Sequence, residues 1–177
     1  MQRIIVTGAT SMIGVALIEE CIKHGTEVYA VVRESSQKRS HLPESSLIKF
    51  VDCSLEHLDR LPEMISQECD TFYHIAWGNT GENRNTSTEL QSRNIAYTLS
   101  AVKAAAALGC KRFIGAGSQA EYGLLNLDRI SPESPANPTT PYGAAKLASG
   151  YLAGMLCKEL GIECIWPRIF SVYGIYE

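Results

Sequence analysis

Two side chains with acid–base chemistry, Tyr142 and Lys146, lie four residues apart in the chain. In a helix this spacing places both residues on one face. An ammonium group beside a phenol stabilises the phenolate, so the pair could donate and accept a proton near neutral pH. Ser118 follows a predicted strand, and its hydroxyl could donate a hydrogen bond to a reacting carbonyl. On these residues alone, an exposed Tyr–Lys pair and a turn serine after Gly117 remain the alternatives.

A glycine turn near the N-terminus predicts a phosphate site. The run Ile4 to Val6 has the length and the β-branching of a buried strand, and a helical pattern begins at about Met12. Backbone N–H groups in such a turn face a ligand, and the helix dipole favours negative charge there. The general dinucleotide fingerprint is not met, because Gly8 and Gly14 are separated by six positions with Ser11 between them. An ordinary β–α turn therefore stays open.

The remaining elements must bring these groups to one place. Apolar runs predict strands at residues 4–6, 26–32, 47–51, 70–76, 112–116 and 162–166, and helical periodicity predicts helices at 12–24, 55–64, 88–108 and 142–160. Pro141 has the position of a first-turn helix proline. Residues 117–141 are predicted to form a long functional loop. This alternation predicts an α/β protein with a doubly wound parallel sheet, whose ligands bind at the carboxyl ends of the strands.

Composition narrows the class of protein further. The chain has 177 residues, of which 45% are hydrophobic and 20% charged, so it suits one globular domain. A formal net charge of −3 without a basic block argues against nucleic acid, and no apolar run is long enough to span a membrane. Met1 leads directly into a predicted strand, so we expect no signal peptide. The six cysteines lack metal-binding spacing, so we expect free buried thiols in a cytoplasmic protein, and no metal site.

Three motifs in order resemble those of the extended short-chain dehydrogenase/reductase family, the nucleotide-sugar epimerases, dehydratases and reductases. They are Thr7-Gly8-x-x-Ser11-x-x-Gly14, Ser118-x-x-x-Tyr122-Gly123 and Tyr142-x-x-x-Lys146. The resemblance implies a Rossmann fold with strand order 3-2-1-4-5-6. It further implies that residues 1–177 are the NAD(P)-binding domain, with the C-terminal substrate domain largely absent beyond about residue 174. A homodimer through the helices of Asn94 and Tyr142 is the assembly that it implies.

The resemblance also implies roles for individual residues. Tyr142 would be the acid/base, Lys146 would make its phenol more acidic and hold the nicotinamide ribose, and Ser118 would orient the substrate oxygen. Asn94 would join a proton relay, with a solvent-facing asparagine as the alternative. His74 is predicted to be a packed strand histidine rather than a catalytic one. The implied cofactor contacts are Gly8, Thr10, Ser11, Met12, Ile13, Gly14, Arg33, Asp52, Ile75, Ala76, Tyr142 and Lys146.

The end of the second strand bears on the choice of cofactor. Enzymes that use NAD place an acid there for the ribose 2′-hydroxyl, whereas an arginine can accept the 2′-phosphate of NADP. Val32 stands near the acid position and Arg33 follows it, with Ser35 and Ser36 close by. A guanidinium matches phosphate geometry, so NADP is favoured. NAD, with Arg33 as a solvated loop residue, stays the alternative.

The segment Ser118-Gln119-Ala120-Glu121-Tyr122-Gly123 bears on the reaction. Dehydratases of the family place an acidic residue where Ala120 stands. In this chain the acidic residue, Glu121, stands one position after it, so a dehydratase is disfavoured. The segment most resembles reductases of nucleotide-linked 4-keto-6-deoxy sugars. A nucleotide-sugar 4-epimerase, a non-catalytic dinucleotide sensor and an inactive fragment remain alternatives. Ser171 stands where many relatives have an asparagine that contacts the nucleotide-sugar phosphates, so the sugar and its base stay open.

Overall fold

A parallel sheet of six strands forms the centre of the structure, a computed structural model that describes residues 2–176. The strands are β1 (Arg3–Thr7), β2 (Glu27–Val32), β3 (Ile48–Asp52), β4 (Thr71–His74), β5 (Arg112–Gly115) and β7 (Glu163–Ile165). Their order is β3-β2-β1-β4-β5-β7. This confirms the predicted order, because β7 is the sixth strand of the sequence-based prediction. Two further strands, β6 (Gly117–Ser118) and β8 (Arg168–Ile169), pair in parallel as a small second sheet.

Helices cover both faces of the large sheet. They are α1 (Met12–Lys23), α2 (Leu61–Met64), α3 (Thr88–Ala107) and α4 (Pro141–Glu159). Side chains of β1 alternate between the faces, as the period of a strand requires. Ile5 packs in one core cluster with Phe72 and Phe113, on the side of α3 and α4. Ile4 and Val6 pack in the other, on the side of α1. The sheet is therefore buried on both faces, which explains the continuous apolar character of its central strands.

Side-chain caps define the helix starts that matter for the site. Ser11 caps α1 by accepting a hydrogen bond from the Gly14 N–H. Thr140 caps α4 by accepting one from the Gly143 N–H, and Pro141 is the first helical residue, as predicted. Both caps lie at the carboxyl edge of the sheet, so α1 and α4 start there.

Two predicted segments differ from the structure. Residues 55–64, predicted as one helix, form a 3₁₀ segment (Leu55–Arg60) with a non-helical His57, followed by α2. Residues 117–141, predicted as a loop, begin with β6 and a 3₁₀ turn (Gln119–Glu121). The Gly117 N–H donates to the Pro167 carbonyl, so β6 exists only because β8 lies beside it. Such a pairing between distant residues leaves no local periodicity.

All six cysteines are free: four are buried, and Cys21 and Cys164 are half-buried. Within residues 2–176, no helix is both long and apolar enough to cross a membrane.

Candidate functional site

The β1–α1 turn is tight enough to admit only glycine at its two ends. Gly8 has φ +71°, and a Cβ there would lie 2.7 Å from the Ala76 backbone nitrogen. A Cβ on Gly14 would collide with the Gly8 carbonyl oxygen. The turn therefore packs directly on the exit of β4, at Ile75 and Ala76. Two of the three positions of the usual fingerprint are thus required by backbone packing here.

Ser11 takes the place of the middle glycine without closing the turn. Its N–H and its hydroxyl both donate to the Gly8 carbonyl, at 3.0 and 2.7 Å, and its Oγ accepts from the Gly14 N–H at 3.1 Å. Within residues 2–176, the N–H groups of Met12 and Ile13 form no hydrogen bond. Free N–H groups at a helix N-terminus are what a phosphate group needs, so the turn fits the pyrophosphate of a dinucleotide.

Three side chains meet at the start of α4 and are called the tyrosine cluster: Trp77, Tyr142 and Lys146. The Lys146 ammonium donates to the Ala116 carbonyl and lies 3.8 Å from the centroid of the Trp77 ring. It is 5.9 Å from the centroid of the Tyr142 ring, which meets Trp77 edge-on at 6.0 Å. Burial lowers the pKa of Lys146 to about 7, and the charge of Glu121 partly offsets this effect. The ammonium is therefore poised between its two protonation states near neutral pH.

Ser118 and Glu121 form a reciprocal cap. Ser118 Oγ accepts from the Ala120 N–H at 3.2 Å, and the Ser118 N–H donates to Glu121 Oε1 at 2.8 Å. The Glu121 carboxylate, 1% exposed, also accepts from Trp166 Nε1 at 3.0 Å and from Arg168 Nε at 2.8 Å. The oxygens of the Glu121 carboxylate are thus occupied by hydrogen bonds within the fold. The Ser118 hydroxyl remains able to donate its own proton.

Asn94 is buried and does not face solvent, so the solvent-facing alternative is wrong. Its Oδ1 accepts from the Gly78 N–H at 2.7 Å, and its Nδ2 donates to the Gly78 carbonyl at 3.1 Å. The neighbouring Gln91 accepts from Trp77 Nε1 at 2.8 Å and donates to the Asn79 carbonyl at 2.8 Å. These contacts hold the backbone that leaves β4. A role of Asn94 in a proton relay stays a prediction.

His74 lies beneath the site, packed within the sheet. Its Nδ1 is 2.9 Å from Thr7 Oγ1 on the adjacent strand, and only 3% of the residue is exposed. Burial, followed by the charge of Lys146, lowers the pKa of His74 to about 3, so the imidazole is neutral. This is the packed strand histidine that the sequence predicts.

A second group of residues, the arginine cluster, lies at the ends of β2 and β3: Arg33, Ser35, Arg39 and Asp52. Val32 pairs with Asp52 in the sheet, so Arg33 follows at the same edge. Arg33, Ser35 and Asp52 line an open cavity of about 490 Å³. The Asp52 carboxylate is exposed and forms an ion pair with Arg39. Glu34 and Arg60 line it as well, so the charged groups around the cavity are two arginines and two carboxylates.

The predicted site residues lie on elements that start or end near the carboxyl edge of the sheet, and direct contacts join some of them, such as Lys146 and Tyr142. Gly8 meets Ala76, and Lys146 meets Ala116 two residues before Ser118. Arg33 and Asp52 form a separate group at the far end of the same edge.

Sequence reasoning missed Trp77, Gln91 and Arg84. The Arg84 guanidinium lies 4.7 Å from the centroid of the Tyr142 ring. The sequence pattern could have indicated Gln91, because it is a polar residue three positions before Asn94 and shares its helix face. No sequence pattern indicates Trp77 or Arg84, because they stand in a segment predicted as a polar loop.

The sheet order and the tyrosine–lysine helix define an extended short-chain dehydrogenase/reductase. The chain belongs to the NAD dependent epimerase/dehydratase family, whose model matches residues 4–177. It is 24% identical over 177 residues to a UDP-glucose 4-epimerase of Corynebacterium glutamicum, which covers 99% of this chain and 53% of that protein. It is 29% identical over 176 residues to a dTDP-6-deoxy-L-talose 4-dehydrogenase (NAD(+)) of Aggregatibacter actinomycetemcomitans, which covers 98% of this chain and 62% of that protein.

Solved structures show the same fold. The UDP-glucuronic acid 4-epimerase of Bacillus cereus in complex with NAD superposes with a TM-score of 0.80 at 23% identity, covering 99% of this chain and 59% of that one. The chain therefore spans little more than half the length of the relatives it matches. The family and the fold are established over nearly all of the 177 residues.

Proposed function

We propose that this chain is the dinucleotide-binding part of an NAD(P)-dependent oxidoreductase that acts on a nucleotide-linked sugar. The observation that carries the proposal is the buried Lys146 ammonium beside Tyr142, at the edge where the Gly8–Gly14 turn presents free N–H groups. A protein that only sensed a dinucleotide would not need a buried amine next to a phenol. The named relatives, an epimerase and a dehydrogenase of nucleotide sugars, support this class of substrate.

The cofactor and the side chains of the site divide the proposed reaction between them. A bound nicotinamide supplies the hydride chemistry, and the protein supplies position and proton transfer. The Tyr142 hydroxyl exchanges a proton with the oxygen on the reacting sugar carbon. The Lys146 ammonium stabilises the phenolate electrostatically and offers a donor to a ribose hydroxyl. The Ser118 hydroxyl donates to the sugar oxygen, while Asn94 fixes the loop after β4.

Reduction of a 4-keto-6-deoxy sugar is the proposed reaction, and 4-epimerisation is the alternative. The buried Glu121 carboxylate is engaged by Arg168 and Trp166, which leaves it unsuited to the expulsion of water and supports the case against a dehydratase. The test supplies the natural full-length product with a nucleotide-linked 4-keto-6-deoxy sugar and NADPH. Steady stoichiometric oxidation of NADPH supports the reductase. Interconversion of a sugar nucleotide without net change in cofactor redox state would establish the epimerase instead.

The cofactor proposal is NADP, with NAD as the alternative. Arg33 and Ser35 line the open cavity, and Arg33 is exposed there. The dehydrogenase relative is named for NAD(+) and the solved epimerase holds NAD, so the preference rests on Arg33 itself. Titration of this chain with NADPH and NADH, followed by nicotinamide fluorescence, tests it. Equal affinity for the two would remove the role given to Arg33.

Assembly as a homodimer is proposed through α4. Its surface exposes Tyr151, Leu152 and Met155, which form an apolar stripe along one side of the helix. Light scattering of the full-length product tests this proposal: replacement of Met155 by lysine should convert the dimer to monomer, whereas a monomeric parent protein would refute it.

A further inference from the structure

Trp77 occupies the centre of the tyrosine cluster, although it comes from a loop remote in sequence. Its ring face lies 3.8 Å from the Lys146 ammonium, and its edge meets Tyr142 at an interplanar angle of 84°. The electron-rich face of an indole attracts a cation, and the attraction grows when water is excluded. Lys146 is only 4% exposed, so this contact lies in a poorly hydrated place.

Two buried amides of α3 fix the indole in this orientation. Gln91 Oε1 accepts from Trp77 Nε1, and Gln91 Nε2 donates to the carbonyl of Asn79, which has φ +59°. Asn94 holds Gly78 by both its N–H and its carbonyl. Each of three successive residues, Trp77 to Asn79, is thus held by α3. Gln91 is 0% exposed and Asn94 is 1% exposed, and buried amides at these positions require such partners.

Among the groups around the Lys146 ammonium, the indole ring of Trp77 is a principal partner. From β5 and its exit, the Ala116 carbonyl accepts its hydrogen bond. Glu121 favours the charged form of Lys146, but its carboxylate is bonded to Arg168 and Trp166. His74, beneath the site on β4, is neutral, and Arg84 lies against the Tyr142 ring. The Ala116 carbonyl and the Trp77 ring face therefore lie nearer to the ammonium than the Tyr142 ring, whose centroid is 5.9 Å away, and they offset most of the burial of the charge.

We propose that Trp77 is a positioning residue: its indole face, oriented by Gln91, holds the Lys146 ammonium in its charged form beside Tyr142. Only the catalytic consequence of this contact rests on the proposed function. The contact itself can be measured without substrate or cofactor.

The first experiment follows the titration of Lys146 by NMR of lysines labelled at ¹³Cε, with Lys146→Met used for assignment. Trp77→Leu keeps apolar volume and removes the ring, so the pKa of Lys146 should fall by about half to one and a half units. Trp77→Phe keeps a ring face and should restore most of the difference. Tyr97→Leu is the matched control, because Tyr97 is an aromatic residue of α3 whose hydroxyl contacts Glu56 rather than the cluster; it should leave the titration unchanged.

Gln91→Leu provides a second variant that keeps the tryptophan. It removes the acceptor of the indole N–H, so the pKa of Lys146 should fall, by less than in Trp77→Leu. The proposal is overturned if the pKa of Lys146 is unchanged or raised in folded Trp77→Leu. If Trp77→Leu does not fold, the same result in Gln91→Leu overturns it.

The second experiment separates this proposal from the proposed function. In the full-length product, the alkaline limb of the kcat/KM profile should move to lower pH in Trp77→Leu, by the shift that NMR measures, and should return in Trp77→Phe. A shifted lysine titration without any shift of the kinetic profile would refute the catalytic use of Lys146 while leaving the positioning contact intact. A loss of activity without a change in the lysine titration would refute the positioning role.

Discussion

The tyrosine cluster and the arginine cluster lie at opposite ends of one sheet edge, and they differ in how much water reaches their charged groups. Lys146 is 4% exposed and Glu121 1%, and each has fixed partners. Arg33 and Asp52 are exposed around an open cavity. A charge in a poorly hydrated place acts strongly and tolerates little movement, whereas an exposed one is screened. Under the proposed function, the fixed end would carry the chemistry and the open end would select the cofactor.

Removal of the Tyr142 hydroxyl should have the largest effect. In Tyr142→Phe we expect kcat to fall by about 100-fold or more, because proton transfer by a positioned group contributes about that much. Cofactor affinity should remain, since the ring contacts with Trp77 and Arg84 persist. Turnover and a fluorescence titration of the cofactor measure the two quantities. Tyr97→Phe is the control, because the Tyr97 hydroxyl contacts Glu56 rather than the cluster. Undiminished turnover in Tyr142→Phe would refute the acid–base role of Tyr142, whereas a parent protein that binds the dinucleotide without any turnover would be a sensor.

The buried ion pair beside the tyrosine cluster should matter next. Arg168→Gln leaves the Glu121 carboxylate without its guanidinium, at a position where Glu121 is 1% exposed. We expect the free energy of unfolding to fall by about 3 kcal/mol, because an uncompensated buried charge is costly. Urea unfolding measures the change. A loss below about 1 kcal/mol would show that Trp166 and the Ser118 N–H suffice for this carboxylate.

The arginine cluster should control cofactor choice with a smaller effect. Arg33→Glu should weaken NADPH binding by about 10- to 100-fold, the range of one charge-assisted hydrogen bond, and should not weaken NADH binding. Arg60→Glu is the matched control, since Arg60 lines the same cavity and the substitution changes the charge by the same amount. Equal losses in the two variants would indicate a general charge effect, and the contrast between the two ends of the edge would lose its basis.

The neutral His74 should make stability fall in acid. Its pKa is about 3 in the folded protein and 6.5 when exposed, so the unfolded chain binds the extra proton between these values. The contribution of His74 to the free energy of unfolding is therefore fully present above pH 6.5. Below pH 6.5 it falls by about 1.4 kcal/mol per pH unit. Urea unfolding from pH 7 to 4 should show a shallower slope in His74→Gln. His57→Gln, an exposed histidine of the arginine cluster's cavity, should keep the parent slope; identical slopes in all three proteins would contradict the prediction.

The smallest effect should come from the exposed ion pair of the arginine cluster. Arg39→Gln breaks the contact with Asp52, where the two side chains are 35% and 48% exposed. We expect a loss of less than about 1 kcal/mol, because solvent screens such pairs. The same urea assay compares it with Arg168→Gln. A loss as large as that of Arg168→Gln would show that burial does not distinguish the two ends.

The sequence alone determined the elements whose causes are local. The strand–turn–helix of residues 3–14 follows from an apolar run, two glycines and a capping serine, and the shared face of Tyr142 and Lys146 follows from helix geometry. The strand order followed from alternation together with the family resemblance. Each of these depends on residues close together in the chain or on a topology with few solutions.

Only the tertiary structure decided which distant side chains surround the reactive pair. Trp77 meets Lys146, Glu121 meets Arg168, and Asn94 meets Gly78, all across wide separations in sequence. No periodicity records such meetings, because they depend on how loops leave the strands and on which polar groups lack partners there. The burial of Lys146 and His74, which sets their protonation states, has the same origin.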